Sequence, residues 1–298
     1  MSKRSIALFG ATLVSIIYGV TFTIAKDVMP TYVDAYGFIL LRVSGSTLLF
    51  WLIWLFMPKQ KIDLKDFPRI IAAAFFGVAF NMLTFFKGLS LTSPISASVI
   101  MVITPMIVLI LSAIIMKERM RTRMVTGILL GLVGTGSLIL YGKAIGNGAN
   151  ATLGNALVLV NAISYGFYLI IVKKLMDKYN AFTFVKWVYL FGLFMVIPFG
   201  YSQVEAVNWS AVPQVIGFKI IFVVVISTFL TYLLNLVTMK ELKPTTVAVF
   251  IYLQPFFATV FAIGLGKDEL SVIKVLSAIL IFVGVYMVTQ KPTSKTIS

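Results

Sequence analysis

Residues 88–105, GLSLTSPISASVIMVITP, have a counterpart 150 positions later in residues 238–255, TMKELKPTTVAVFIYLQP. The correspondence continues without a gap over residues 87–143, and a fainter match at a shift of 147 covers the preceding part of the chain. The chain is therefore predicted to be a duplicated unit, with one five-helix repeat in residues 1–145 and a second in residues 150–298.

Composition indicates a membrane protein. Hydrophobic residues make up 60% of the chain and charged residues 12%, whereas about a quarter of the residues of a soluble domain are charged. About 20 apolar residues are needed to cross about 30 Å of hydrocarbon as a helix. Ten such runs are predicted, at residues 5–25, 36–57, 68–87, 94–116, 123–141, 153–173, 182–201, 216–238, 244–266 and 270–289. The predicted fold is an all-α integral membrane protein with ten transmembrane helices.

The net charge of +15 is interpreted as an orientation signal. Counting alternate connections between the predicted spans places seventeen Lys and Arg residues on one side of the membrane and six on the other. This bias follows the positive-inside rule and predicts that both termini are cytoplasmic. A nucleic-acid partner is not expected, because the basic residues are spread over many connections instead of one exposed face.

An odd number of spans in each repeat means that the second repeat enters the membrane from the opposite side. Inverted repeats are typical of secondary transporters, in which two copies related by an axis in the membrane plane form one site that opens to either side. No GxxxxGK[ST] phosphate-binding loop is present, so an ATP-driven pump is not expected. The topology predicts a secondary transporter that works by alternating access.

The sequence motifs of the duplicated segment resemble those of the EamA family of the drug/metabolite transporter superfamily. The first copy has the prolines of 88–105, then Lys117-Glu118-Arg119 and a series of glycines; the second has those of 238–255 and Lys267-Asp268-Glu269-Leu270. The resemblance implies a ten-helix carrier of the inner membrane, commonly an exporter of amino acids or other small metabolites. It also implies a central cavity lined by helices 1, 3, 4, 6, 8 and 9.

Pro105 and Pro255 are predicted to be hinges. Each follows a helix-starting proline, Pro94 or Pro244, by 11 residues, which places it about 16 Å into the membrane. A proline there removes one helical hydrogen bond and frees the carbonyl four residues earlier. This carbonyl is that of Met101 in the first copy and that of Ile251 in the second. The alternative is that each proline only bends a packed helix.

Polar side chains within the predicted spans are the candidate solute contacts, because polar groups in hydrocarbon need a partner or water. The alternative for any one amide or hydroxyl is a hydrogen bond between helices, worth about 0.6 kcal/mol. The predicted substrate-binding residues are Tyr18, Arg42, Asn81, Met101, Asn161, Tyr165, Thr231, Tyr232, Tyr252 and Gln254.

Arg42 is the charged candidate, since it lies several residues inside the second span. It would bind a substrate carboxylate if it pointed inward, or reach the lipid headgroups if it snorkelled. Lys87, Lys186 and Lys219 lie near predicted span ends and are expected at the membrane interface.

All ten acidic residues fall at span ends or in loops, and the chain has neither histidine nor cysteine. Because proton-driven carriers generally relay protons through such groups, facilitated diffusion or exchange is favoured over proton coupling. The same absences predict no metal site, no cofactor and no catalytic activity. A lipid-handling or scaffold protein, and less readily a polytopic membrane enzyme, are the alternative functions.

Small residues form one face of the fifth predicted helix, at Gly127, Gly131 and Gly134, with Ser277 and Gly284 at the equivalent places in the tenth. Small-residue faces let helices approach closely. The sequence leaves open whether they pack two helices of one chain or form a homodimer. The other expected partners are a small-molecule solute and membrane lipids.

Overall fold

The computed structural model describes residues 3–57, 59–116, 122–141, 150–241, 250 and 253–289, and the regular structure within them is helical. The α-helices are α1 (Lys3–Val28), α2 (Ala35–Trp54), α3 (Phe67–Ala74), α4 (Phe80–Leu91), α5 (Pro94–Met101), α6 (Thr104–Met116), α7 (Thr122–Leu140), α8 (Ala151–Met176), α9 (Ala181–Glu205), α10 (Gln214–Ile221), α11 (Thr231–Glu241), α12 (Leu253–Gly264) and α13 (Val272–Thr289).

The described helices include seven that are long and apolar enough to cross a membrane. These are Ser5–Val28, Ala35–Trp54, Leu64–Leu91, Thr122–Leu140, Ala151–Met176, Phe182–Glu205 and Gln214–Asn235. Three shorter apolar helices, Pro94–Val108, Leu253–Gly264 and Val272–Met287, fall within the remaining predicted spans. The helical, multi-pass character is confirmed; ten crossings and their orientation stay predictions.

The fourth predicted span is interrupted near its middle. Ser93 begins α5 by accepting a hydrogen bond from the Ser96 amide at 3.2 Å, and α5 ends at Met101, four residues before Pro105. The Met101 carbonyl accepts a hydrogen bond from Thr104 Oγ1 at 2.7 Å. The helix is therefore interrupted where predicted, and the Thr104 hydroxyl is hydrogen-bonded to the carbonyl that the proline frees.

Pro255 is buried in the first turn of α12 as described. Its expected counterpart carbonyl, that of Ile251, lies outside the described residues, as do Tyr252 and the helix-starting Pro244. The hinge function of both prolines stays a prediction.

Helices at equivalent positions of the two predicted repeats pack as antiparallel pairs. At one end of the α2 and α9 pair, the Tyr36 and Gly37 amides donate to Gln203 Oε1, both at 2.9 Å. At the other end, the Trp51 and Trp187 rings lie 5.3 Å apart. The start of α2 therefore contacts the end of α9, as expected if one repeat is inverted relative to the other.

Close contacts between the halves also recur in equivalent places. A Cβ added to Gly45 of α2 would lie 2.6 Å from Val224, and one added to Gly192 of α9, 147 positions later, would lie 2.5 Å from Val78. A larger residue at either position would force the opposing valine to shift. In the first contact the glycine belongs to the first half and the valine to the second. In the other contact the glycine belongs to the second half and the valine to the first.

The small-residue face predicted on the fifth helix packs within the chain. A Cβ on Gly134 of α7 would lie 2.8 Å from the Ser277 carbonyl oxygen of α13, and one on Gly284 would lie 2.5 Å from the Gly127 oxygen. These backbones approach each other as small residues allow. Of the two open alternatives, packing within one chain is observed for this face, and the homodimer stays untested.

Two π-helical segments occupy corresponding positions of the halves. Phe75–Ala79 joins α3 to α4, and Phe222–Leu230 joins α10 to α11. In each segment a backbone carbonyl accepts a hydrogen bond from a serine of the other half. Ser164 Oγ donates to the Phe76 carbonyl at 2.7 Å, and Ser46 Oγ donates to the Val224 carbonyl at 3.3 Å. Such segments are frequent at functional sites because they alter helical hydrogen bonding locally.

Candidate functional site

Arg42 lies in the interior of the described structure. It comes seven residues after the start of α2, about 10 Å along the helix, and is only 8% exposed. Its Nε donates to Thr228 Oγ1 at 2.5 Å, and its guanidinium carbon lies 4.8 Å from the centre of the Phe86 ring. The side chain is thus directed inward, which argues against the snorkelling alternative.

Thr228 is held in the orientation that this contact requires. It belongs to the π-helical segment Phe222–Leu230 and is fully buried. Its hydroxyl donates to the Val223 carbonyl at 2.8 Å, which leaves an oxygen lone pair facing Arg42 Nε. The second half of the chain therefore positions the arginine of the first half.

The Arg42 charge has no acidic partner among the described residues. The ion pairs described there involve Asp27, Asp63, Asp66 and Asp268, all near helix ends. The two terminal nitrogens, Nη1 and Nη2, have no hydrogen-bond acceptor within the same residues and are not among the atoms sealed from solvent. Their donors are available to a ligand or to water.

Five tyrosines surround this interior region, and three of them were predicted. Tyr18, Tyr189 and Tyr232 are close enough to interact electrostatically with the Arg42 guanidinium. The Tyr189 and Tyr232 ring centres are 5.3 Å apart, and those of Tyr165 and Tyr168 are 5.7 Å apart. We call Arg42, Thr228 and these five tyrosines the central polar cluster.

Tyr168 and Tyr189 were not among the sequence predictions, although both are nearly or fully buried. The repeat contained a signal for Tyr189, because it lies 147 positions after Arg42. Thr228 was also missed, while Thr231, one turn later, was chosen. Thr231 is fully buried and its hydroxyl donates to the Ser227 carbonyl of its own helix at 2.7 Å.

Asn81 and Asn161 bridge two helices. Asn161 Nδ2 donates to the Asn81 carbonyl at 2.8 Å, and Asn81 Nδ2 donates to the Asn161 carbonyl at 3.4 Å. This reciprocal pair joins α4 to α8 and matches the interhelical alternative for both amides. Asn161 Oδ1 is buried without a hydrogen-bond partner in the described residues, so that pair leaves one acceptor unused.

The remaining candidates are Met101, Gln254 and Tyr252. Met101 and Gln254 are half-buried on α5 and α12. Tyr252 lies outside the described residues. Their predicted contact with a solute is not tested. No group of three potential acidic metal ligands occurs among the described residues.

A cluster of ion pairs joins several helices at one end of the molecule. Asp27, near the end of α1, contacts Lys219 of α10 at 2.5 Å and Lys267 after α12 at 2.7 Å. Asp268 pairs with Lys274 of α13 at 2.5 Å and accepts from the Ile95 amide of α5 at 3.1 Å. Both halves contribute to these contacts.

A second cluster lies where α3 begins and just after α8 ends. Lys178 contacts Asp66 at 2.6 Å, and the Tyr179 hydroxyl donates to the same carboxylate at 2.7 Å. The hydrogen bond to Asp66, reinforced by Tyr179, raises the pKa of the Lys178 ammonium above its ordinary value. Ion pairs between the halves therefore occur at both ends of the described structure.

The sequence model of the EamA-like transporter family matches the chain twice, at residues 5–140 and 152–290. The chain belongs to this family and so to the drug/metabolite transporter superfamily. It is a multi-pass membrane protein, and its family indicates a transporter rather than an enzyme.

Curated relatives carry the same general name. An "Uncharacterized transporter" of Archaeoglobus fulgidus is 27% identical over 232 residues, covering 78% of this chain and 81% of the relative. The "Uncharacterized transporter YyaM" of Bacillus subtilis is 24% identical over 277 residues, covering 91% of this chain and 89% of the relative. These names agree with membrane transport and identify no solute.

A solved protein structure shares the fold. It superimposes with a TM-score of 0.61 at 17% sequence identity, covering 96% of this chain and 98% of the other. At this identity the likeness shows the arrangement of helices alone.

Proposed function

We propose that this protein is a secondary transporter of the cell (inner) membrane that exports small metabolites such as amino acids by alternating access between two inverted repeats. The observation that carries the proposal is the central polar cluster. Arg42 and Tyr18 come from the first half, and Thr228, Tyr165 and Tyr232 come from the second. A solute bound there would contact both halves at once.

The equivalent contacts between the halves support the alternating-access part of the proposal. Contacts such as Gly45 with Val224 and Gly192 with Val78 allow the halves to exchange arrangements while keeping similar packing. A site between such halves can open to one side and then to the other. The ion pairs at each end are the contacts that must break and re-form during this exchange.

The lack of an interior carboxylate among the described residues supports transport without proton coupling. The described acidic side chains lie at helix ends, where Asp27, Asp66 and Asp268 already hold lysines. Glu118, another residue near a predicted span end, lies outside the described residues. We therefore propose facilitated export or exchange driven by the solute gradient.

Proteoliposomes preloaded with labelled L-amino acids test the transport function. Saturable efflux that is absent from protein-free liposomes and unchanged by an imposed proton gradient would support the proposal. Efflux that requires the gradient would retain the transporter function and reject uncoupled export. The absence of saturable efflux for all twenty amino acids would reject amino-acid export.

A cross-link between the halves tests alternating access separately. Asp27→Cys and Lys267→Cys place a thiol pair in a chain that has no other cysteine. Joining them with a short bis-methanethiosulfonate, which forms a disulfide with each thiol, should stop efflux, and reduction of these disulfides should restore it. The single-cysteine variants treated in the same way are the controls. Undiminished efflux after complete cross-linking would contradict movement at this end.

A further inference from the structure

We infer that Arg42 binds a single carboxylate of the transported solute through its two terminal nitrogens. This inference rests on the proposed transport function and specifies the chemistry of its site. It follows from three observations: the buried charge, the unused donors and the asymmetry of the two halves.

The first observation is a buried charge without a counter-ion among the described residues. Arg42 is more than nine-tenths buried, and no described acidic residue forms an ion pair with it. A buried ion is costly unless it is paired and hydrogen-bonded. The Phe86 face and the Thr228 hydroxyl compensate it only in part. A bound anion would supply the missing charge.

The second observation concerns which donors remain. Because Nε is used by Thr228, the available edge of the guanidinium is the one formed by Nη1 and Nη2. Two parallel N–H groups on one planar edge match the two oxygens of a carboxylate. Thr228 thus fixes the plane of the arginine and determines the edge that the solute meets.

The third observation is that the repeat counterpart of Arg42 carries no charge. The position 147 residues after Arg42 is Tyr189, a fully buried neutral side chain. The rest of the cluster offers tyrosine rings and hydroxyls. The site therefore accommodates one anionic group, and the remainder of the solute lies against aromatic surface. Monocarboxylates, including amino acids, have this chemistry, whereas dicarboxylates would leave one charge unpaired.

Matched pairs of probes test the inference. Each carboxylate is compared with its own amide: L-leucine with L-leucinamide, L-phenylalanine with L-phenylalaninamide, and 3-phenylpropionate with 3-phenylpropionamide. The last pair separates loss of the carboxylate from the presence of an ammonium group. Binding is measured as thermal stabilisation of the purified protein, and transport as efflux from phosphatidylcholine liposomes.

The wild type should bind at least one carboxylate about ten-fold more tightly than its amide. Arg42→Gln should bring that ratio close to one, and Arg42→Lys should give an intermediate ratio because an ammonium lacks the planar pair of donors. Lys186→Gln is the matched control, since it removes another buried cation from the same helix pair. It should keep the wild-type ratio.

The outcomes separate this inference from the proposed function. Equal efflux of carboxylates and amides would overturn the carboxylate site and leave transport standing. Arg42-dependent carboxylate binding without efflux would support the site and reject transport of that probe. A carboxylate preference retained in Arg42→Gln, or no binding of any carboxylate by the wild type, would overturn the inference. An Arg42 effect seen only with phosphatidylglycerol in the liposomes would assign the arginine to a lipid headgroup and overturn it as well.

Discussion

Arg42 and Lys186 are both buried cations on the α2 and α9 pair, and the described residues offer neither an acidic partner. The Lys186 ammonium lies 3.0 Å from the centre of the Trp54 ring and also faces Trp51 and Trp187, at 4.7 and 5.5 Å. Arg42 faces one ring and one hydroxyl. The lysine is thus enclosed by an aromatic cage of three tryptophans, while the arginine keeps two nitrogens unused.

This difference separates a structural cation from a binding cation. The faces of tryptophan rings stabilise an ammonium directly, so Lys186 needs no ligand. No equivalent set of rings encloses Arg42. Its Nη1 and Nη2 donors gain a hydrogen-bond partner when a ligand acceptor binds. Burial by itself therefore does not identify function. The two cations differ in whether aromatic rings already enclose the charge.

The largest predicted effect is on Arg42. We expect Arg42→Gln to reduce kcat/KM for a transported carboxylate about 100-fold, because removing one partner of a buried charge pair costs about 2–5 kcal/mol. Efflux assays at equal reconstituted protein measure this loss. A reduction of less than three-fold would contradict the assignment of Arg42 as the cation that binds the solute.

The next effect concerns Thr228. Thr228→Val keeps the side-chain shape and removes the oxygen that accepts from Arg42 Nε, so we expect KM to rise about ten-fold, as for the loss of a hydrogen bond to a charged group. Thr228→Ser restores the hydroxyl and should stay within about three-fold of the wild type. Identical behaviour of the valine and serine variants would mean that the hydroxyl does not orient the arginine.

Lys186 should show the opposite pattern, with an effect on stability and little on transport. Lys186→Met keeps most of the stem and removes the charge from the aromatic cage. We expect the unfolding free energy to fall by about 0.5–2 kcal/mol, the range for a cation over aromatic rings. Thermal unfolding measures it, and efflux per folded protein should stay within two-fold of the wild type. A selective loss of carboxylate transport would instead place Lys186 in the solute pathway.

The smallest effect is expected at Tyr189, the repeat counterpart of Arg42. Tyr189→Phe keeps the ring contacts with Phe50 and Tyr232 and removes only the hydroxyl. We expect KM to change by less than about three-fold, since the Tyr189 hydroxyl has no hydrogen-bond partner among the described residues and its removal breaks none. A loss comparable to that of Arg42→Gln, measured in the same efflux assay, would show that both halves contribute equally to binding.

The long apolar helices and the interruption before Pro105 were predictable because they depend on local properties. Apolar length produces the helices, and a proline removes a helical hydrogen bond wherever it stands. The glycines at 127, 131 and 134 were also recognisable as a packing face. The sequence left open whether this face packs within one chain or forms a homodimer, since a small-residue face fits any close helix. The structure shows that it packs against α13.

The composition of the central polar cluster was only partly predictable. Tyr18, Tyr165 and Tyr232 were chosen for their chemistry, and the structure places them with Tyr168 and Tyr189, which were overlooked. Asn81 and Asn161 looked equally suitable, yet their amides bridge α4 and α8. Residue type does not reveal whether a polar atom is already satisfied by a neighbouring helix.

By itself the sequence determined that the chain is a helical membrane protein built from two related halves, because hydropathy and the repeat are properties of the chain. Only the tertiary structure decided which buried groups remain unsatisfied. Thr228 reaches Arg42 across 186 positions, and Trp51 and Trp54 surround Lys186 from another helix. These contacts depend on how helices of the two halves pack against each other, so their consequence for binding emerges only in the folded protein.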